Sequence, residues 1–242
     1  SSYHRERNQS FPWESYMRNS SFYTLGNLGY ELQSLHGVGD FDSPHILLSC
    51  MAKLTEKLSR LLIPRLASAS PTAKILFFEP EQGHFVRFFL EFLAKEGLSK
   101  IPEVTLSGRN ILALEASRHN LPSHIPCTVI PAVDPALMGD AKTYEDGKGF
   151  HELRQPAPQR FDCVFFVPDI VPKTDRWSAY WGALHSLLAD EGLVFVALGA
   201  TDGERFDKMK PKGFIRLGDI KRQGFRVLAY QNRVSLGSHQ LA

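Results

Sequence analysis

Between Lys74 and Phe85 the chain reads KILFFEPEQGHF, and its polar centre places Glu79, Glu81, Gly83 and His84 close together. An apolar run, Ile75 to Phe78, enters this turn, and an apolar-periodic segment leaves it. The turn therefore joins a buried strand of a parallel sheet to a helix. A strand, a tight turn and a helix in that order make the phosphate- or nucleotide-binding corner of an open α/β sheet. Such a corner works through backbone N–H groups that a ligand touches directly, and glycines keep them uncovered. Only Gly83 remains here, while Glu79 and Glu81 stand where small residues are wanted. His84 would matter beside a nucleophile. None is nearby, so it is expected as a surface residue at the start of the helix.

No second constellation appears. Cys50, Cys127 and Cys163 are far apart in apolar stretches, which fits small core residues in a reducing compartment and argues against a disulfide framework. The nine histidines form no HExxH or other ligand spacing, so no metal site is expected.

The elements that must position the turn follow from periodicity. Ser43 is expected to cap a helix with Pro44 in its first turn, carrying Leu47, Met51, Leu54, Leu58, Leu61 and Leu62 on one face, with Pro64 ending or kinking it. After the 75–78 strand come a helix from Phe85 to Glu96 stopped by Gly97, a strand Glu103 to Ser107, a helix Asn110 to Asn120 and a strand Cys127 to Ile130. Residues 133–160 read as a long loop, a length that is usually functional, contact-making or disordered. Beyond it lie a strand Phe161 to Val167, a helix capped by Thr174 and bearing Trp177, Tyr180, Trp181, Leu184, Leu187 and Leu188, and a strand Leu193 to Leu198. A short amphipathic turn near Phe206 precedes a closing hairpin, Gly213 to Ile220 and Phe225 to Gln231. Alternating strands and helices predict a Rossmann-like α/β fold: a mostly parallel sheet, helices on both faces, and an antiparallel closing hairpin at the edge.

The chain has 242 residues, 43% of them hydrophobic and 22% charged, which suits one α/β domain, 43–242, with an N-terminal extension, 1–42. That extension carries Phe11, Trp13, Tyr16, Phe22, Tyr23 and Tyr30 without a sustained period, and is expected to lie on the domain or a partner as an aromatic-anchored arm with little helix or strand. No apolar run reaches the roughly 20 residues that span a bilayer, and no secretory apolar core is seen. Because the sequence begins at Ser1, removal of an organelle-targeting peptide is one expectation. The net charge of +2 divides into −3 over residues 1–200 and +5 from residue 201 onward. Lys208, Lys210 and Lys212 read as alternating along an extended stretch, with Arg216, Lys221, Arg222 and Arg226 following on the closing hairpin, and several of these charges are expected to gather on one surface, either docking RNA or an acidic protein or simply solvated.

Several strings, in their order, resemble class I S-adenosylmethionine-dependent methyltransferases, specifically the small-domain type that modifies guanine in ribosomal RNA. LQSLHGVGDFDSP (Leu32 to Pro44) is similar to that family's lead-in, ALEASRHN (Ala113 to Asn120) to its post-strand helix, Arg160-Phe161-Asp162 to the entry of its catalytic strand, and GFIRLGDIKRQGFRVLAY to its closing hairpin. The resemblance spans roughly residues 32–231 and implies that family's fold.

It also implies where the family's functional residues would fall. With Gly83 matched to the last glycine of the cofactor turn, Phe77 stands at the acid, and Glu79 and Glu81 stand at the other two glycines. The ribose-binding acid falls on Gly108, and the catalytic Asn-Pro-Pro-Phe on Val167, Pro168, Asp169 and Ile170. Three parts of one site are changed together. A glutamate in the turn adds a Cβ and a carboxylate that would face the cofactor's own, and like charges about 4 Å apart cost roughly 4 kcal/mol at an effective dielectric near 20. The expectation is a domain with no cofactor and no catalytic residue, serving as a structural or assembly subunit among the proteins of a large complex, with a mitochondrial ribosome or another organellar assembly as host. The alternative is an active S-adenosylmethionine-dependent enzyme acting on ribosomal RNA, with Asp169 standing in for a lost polar group.

Overall fold

The computed structural model describes residues 13–132, 134–135, 138, 143–145, 149–151, 160–168 and 176–233. The first described elements are α1 (Trp13–Tyr16), β1 (Ser21–Leu25), β2 (Leu28–Leu32), α2 (Ile46–Lys57) and α3 (Ser59–Ala67). It continues with β3 (Lys74–Phe78), α4 (His84–Lys95), β4 (Glu103–Gly108), α5 (Ile111–His119) and β5 (Cys127–Pro131). Next come β6 (Thr143–Glu145), β7 (Gly149–His151), β8 (Phe161–Phe166), α6 (Trp177–Leu187) and β9 (Leu188–Gly199). The last described elements are α7 (Ala200–Lys208), β10 (Phe214–Arg222) and β11 (Phe225–Asn232).

The main sheet has the order β10-β11-β9-β8-β3-β4-β5-β6-β7. From β9 through β5 every neighbouring pair is parallel. The near-continuous apolar sequences of β3 and β8 are what such a position requires, since both of their faces are covered. On one face Phe77, Phe85, Phe89, Phe165 and Phe195 form an aromatic stack, with Phe77 and Phe165 centroids 5.2 Å apart, under α2 and α4. On the other face Trp181 lies on Phe206, 4.2 Å between centroids, and meets Phe214 and Tyr230 beneath α6 and α7. Burying each such ring contributes about 2–3 kcal/mol. Cys50 and Cys163 are buried in these layers and Cys127 is half-buried. Among the described residues no helix is long and apolar enough to cross a membrane.

The antiparallel closing hairpin stands at the edge of the sheet as expected, while other expectations are corrected. Its second strand, β11, lies inside, antiparallel to both β9 and β10, and β10 forms the edge. The turn near Phe206 is a nine-residue helix, α7, so Lys208 is helical and does not alternate with Lys210 and Lys212 on an extended stretch. The 133–160 loop contributes β6 and β7, which extend the sheet beyond β5. Residues 21–32 are not an unstructured arm. Phe22 and Thr24 face outward, while Tyr23 is half-covered and Leu25 fully buried, and a turn at Gly26 and Asn27 joins the two paired strands. The period is 2, kept over the five residues of β1 and only Tyr30 to Leu32 of β2, too short to stand out in the sequence. Residues 1–12 of that extension lie outside the described residues, as does Thr174. His45, rather than Ser43, caps α2, its Nδ1 accepting from the Leu47 amide at 3.1 Å. The helical run breaks at Leu58 and α3 continues through Pro64 to Ala67.

Candidate functional site

The strand order reverses between β3 and β8, and the ligand crevice of an open α/β sheet lies at that point, outside the carboxyl ends of the strands. Residues 79–83 sit there. Glu79, Glu81 and Gly83 have φ of 61°, 51° and 91°, so all three take the left-handed conformation that glycines favour. Holding a non-glycine residue there costs about 1 to 3 kcal/mol. Gly83 has a further reason to lack a side chain: a Cβ would come within 3.0 Å of the Ser117 Cα on α5.

Neighbouring segments hold the strained turn. The Glu79 amide donates to the Ser107 carbonyl at 2.8 Å, and the Ser117 hydroxyl donates to the Glu81 carbonyl at 2.8 Å. Gln82 is fully buried and acts like a piece of backbone: its Oε1 accepts from the Leu35 amide at 2.9 Å, and its Nε2 donates to the carbonyls of Leu35 and Val38 at 2.8 and 3.1 Å. Asn120 ties Gln33 to the carbonyl of Gln82. The stretch 33–45 is thereby strapped across the turn.

The two glutamates direct their carboxylates to opposite ends of this corner. Glu79 accepts from the Arg109 amide at 2.9 Å, at the end of β4. There Gly108 has φ of 155°, and a Cβ on it would stand 2.9 Å from the Glu79 carboxyl carbon. Glu79 thus fills the space where a side chain at 108 would begin. Glu81 turns toward the strap, accepting from the Gly39 amide, and a Cβ on Gly39 would lie 3.0 Å from its Oε2. Burial pushes the Glu79 carboxyl up, opposed by the Arg109 amide and guanidinium and reinforced by Glu81. Burial and then the nearby Asp40 push Glu81 up, and burial does the same to Asp40. Phe77, by contrast, does not face the crevice, since it belongs to the buried aromatic stack.

Beyond β8, Val167 is half-buried with its amide 3.3 Å from the Phe78 carbonyl, and Pro168 is buried. Asp169 lies outside the described residues. His84 corrects the sequence reading: it is buried, not on the surface, and bridges Tyr30 and Asp40. Among the described residues no cluster of His, Cys, Asp or Glu could hold a metal ion.

Seven strands in the order β10-β11-β9-β8-β3-β4-β5, with only β11 reversed, and a left-handed turn after the central strand describe one architecture. The chain has the fold of the class I S-adenosylmethionine-dependent methyltransferases. It is similar to the Thermus thermophilus 16S rRNA methyltransferase determined with AdoMet and guanosine, with a TM-score of 0.57 and 16% identity over 90% of this chain. The alignment spans 51% of that enzyme, so this chain corresponds to about half its length. It is also similar to the Escherichia coli methyltransferase-type protein yhhF, with a TM-score of 0.57 and 14% identity over 88% of this chain and 98% of that one. No family model and no curated protein matches the sequence.

The basic residues expected on one surface of this methyltransferase-fold domain are divided. Arg226 is buried and makes two hydrogen bonds to Asp219, at 2.9 and 2.7 Å. Arg216 pairs with Asp207 at 3.0 Å and Lys208 with Glu204 at 3.1 Å, while Lys210 donates to the Phe214 carbonyl at 2.6 Å. Lys212, Lys221 and Arg222 are exposed. Lys212 precedes β10 and Lys221 and Arg222 end it, so they stand at opposite ends of a strand whose eight steps span roughly 26 Å at 3.3 Å per step. Sequence reasoning missed Gln82, Asn120, Asp40, Tyr30 and Arg109. Gly37 and Gly39 in HGVGD were a usable sign that the 33–45 segment makes a close approach.

Proposed function

We propose that this methyltransferase-fold domain holds no S-adenosylmethionine and works as a structural or assembly subunit of a larger complex. The observation that carries the reading is the Glu79 carboxylate, seated beside Gly108 at the end of β4. The family's ribose-binding acid would project from that position, and the cofactor's sugar would need the space that Glu79 takes. Glu81 adds a second negative charge at the turn, where a zwitterionic ligand would bring a carboxylate. The residues present do not fit the group, so no chemical step is derived through it. The host, a mitochondrial ribosome or another organellar assembly, follows from the resemblance to ribosomal RNA enzymes, and Lys212, Lys221 and Arg222 are the side chains that would reach RNA phosphates.

One observation favours the alternative, an active methyltransferase acting on ribosomal RNA: the turn keeps its left-handed backbone at 79, 81 and 83 despite the strain of two glutamates. Calorimetric titration with S-adenosylmethionine separates the two readings. No binding at physiological concentration is expected. A dissociation constant of about 10 μM or tighter, roughly −7 kcal/mol, overturns the cofactor-free reading.

A further inference from the structure

We propose that His84 is an acid-operated latch holding the β1–β2 hairpin and the 33–45 strap against the turn at 79–83. The ring is 1% exposed and both of its nitrogens are engaged, Nε2 at 2.9 Å from the Asp40 carbonyl oxygen and Nδ1 at 2.9 Å from the Tyr30 hydroxyl. A carbonyl can only accept, so Nε2 is assigned the hydrogen and Nδ1 accepts from Tyr30. That assignment is the neutral imidazole.

Protonation puts a second hydrogen on Nδ1. The Tyr30 hydroxyl, on a residue only 2% exposed, must then accept, and its own hydrogen loses its acceptor. The new charge also falls in the first turn of α4, at the positive end of a 12-residue helix. The groups facing the ring are Tyr23 from β1, edge-on at 4.7 Å, Tyr30 from β2 and Asp40 from the strap, with His45 and Glu81 acting on Asp40 one step away. Asp40 is the available counter-charge. Because burial raises the carboxyls of Asp40 and Glu81, both lose charge as pH falls and support an imidazolium less.

Burial holds the His84 ring below its ordinary range, with Asp40 opposing. The stability this contributes is full above the unfolded value of about 6.5 and is lost as pH falls through the folded value. The loss acts on a separable unit. β1 and β2 form their own two-stranded sheet, and side chains join it to the domain: Leu25, Tyr30 and Leu32 pack into the core shared with α2 and α4, Tyr30 bonds to His84, Asn27 to Glu56, and the following Gln33 and Leu35 to Asn120 and Gln82. Release of the hairpin leaves the ladders of the main sheet intact and opens the crevice from the strap side.

Hydrogen exchange, corrected for its intrinsic pH dependence and followed from about pH 8 to pH 5, tests this in the full chain. Protection of residues 21–32 is expected to fall about tenfold or more while β3, β8 and β9 stay protected, in step with the NMR titration of the His84 ring. His84→Gln, which keeps one donor and one acceptor, is expected to flatten the change. Unaltered hairpin protection to pH 5, simultaneous loss across the main sheet, or release persisting in His84→Gln would overturn the latch. Should that variant not fold, the wild-type titration decides alone: a ring that protonates with the hairpin still protected, or a hairpin released while the ring is neutral, refutes it.

Discussion

Asp219 within β10 and Glu81 in the 79–83 turn are both partly covered acids, yet their surroundings act on them in opposite directions. Asp219 meets the Arg226 guanidinium through two hydrogen bonds, which hold its carboxyl below the usual range. Glu81 has a backbone amide and a more distant arginine, and burial beside Asp40 drives its carboxyl up. The corner formed by α7, β10 and β11 spends its charges on itself: Glu204, Asp207 and Asp219 each hold a basic residue. The crevice sets Glu81 beside Asp40, and Asp40, Glu79 and Glu81 all stand on a left-handed backbone that prefers glycine. Charge in the corner supports the fold, whereas charge in the crevice opposes it and is carried by the strap around it.

If the strap carries the crevice, the largest effect belongs to Gln82. Gln82→Ala leaves the Leu35 amide and the carbonyls of Leu35 and Val38 without their buried partner, and a loss of about 3 kcal/mol is expected in urea unfolding. A change below about 0.5 kcal/mol would show that the turn needs no such support. Next comes the corner. Arg226→Ala strands Asp219, and because that acid keeps some solvent the expected loss is about 2 kcal/mol, below the usual range for a fully buried pair. A neutral outcome would remove the contrast between the two regions.

The third effect has the opposite sign. Replacing Glu79 and Glu81 with Gln is expected to raise stability by about 1 kcal/mol at pH 8. Raised carboxyls contribute stability that is fully present below their unfolded value and lost as pH rises through the folded one, so the gain over wild type should shrink toward about pH 4.5. A gain independent of pH would assign the effect to backbone strain instead. The smallest effect is expected from changing Lys212, Lys221 and Arg222 together to Gln, within about 0.5 kcal/mol in stability. Association with a native RNA-containing particle at two salt concentrations then tells whether these three do more than meet water; unchanged association at both would leave them as solvated surface.

The parallel core was legible in the sequence because β3, β8 and β9 each carry a short apolar run bounded by turn signals, and Gly83, Gly97 and the asparagines flanking α5 mark its helices. The position of β11 was not legible, since a hairpin reads the same whichever of its strands joins the sheet. The left-handed glutamates were visible only as misplaced residues; their directions depend on Gly108 and Gly39, far away in the chain. His84 was misread because its partners, Tyr30 and Asp40, are brought to it by the fold and leave no local mark. The basic end was overcounted because Asp207 and Asp219 neutralise arginines on neighbouring elements.

The insertion of β11 between β9 and β10 has a consequence for the chain as it is made. Leu193 to Leu198 of β9 are six apolar residues with no charge and no proline, all 2% exposed or less in the finished protein. During synthesis they emerge ahead of β10 and β11, leaving one edge open, and a bare apolar edge is a template for pairing with other chains. Strands made after β9 are therefore the ones that guard its apolar edge. Truncation before Phe214 should yield aggregate rather than a smaller soluble domain.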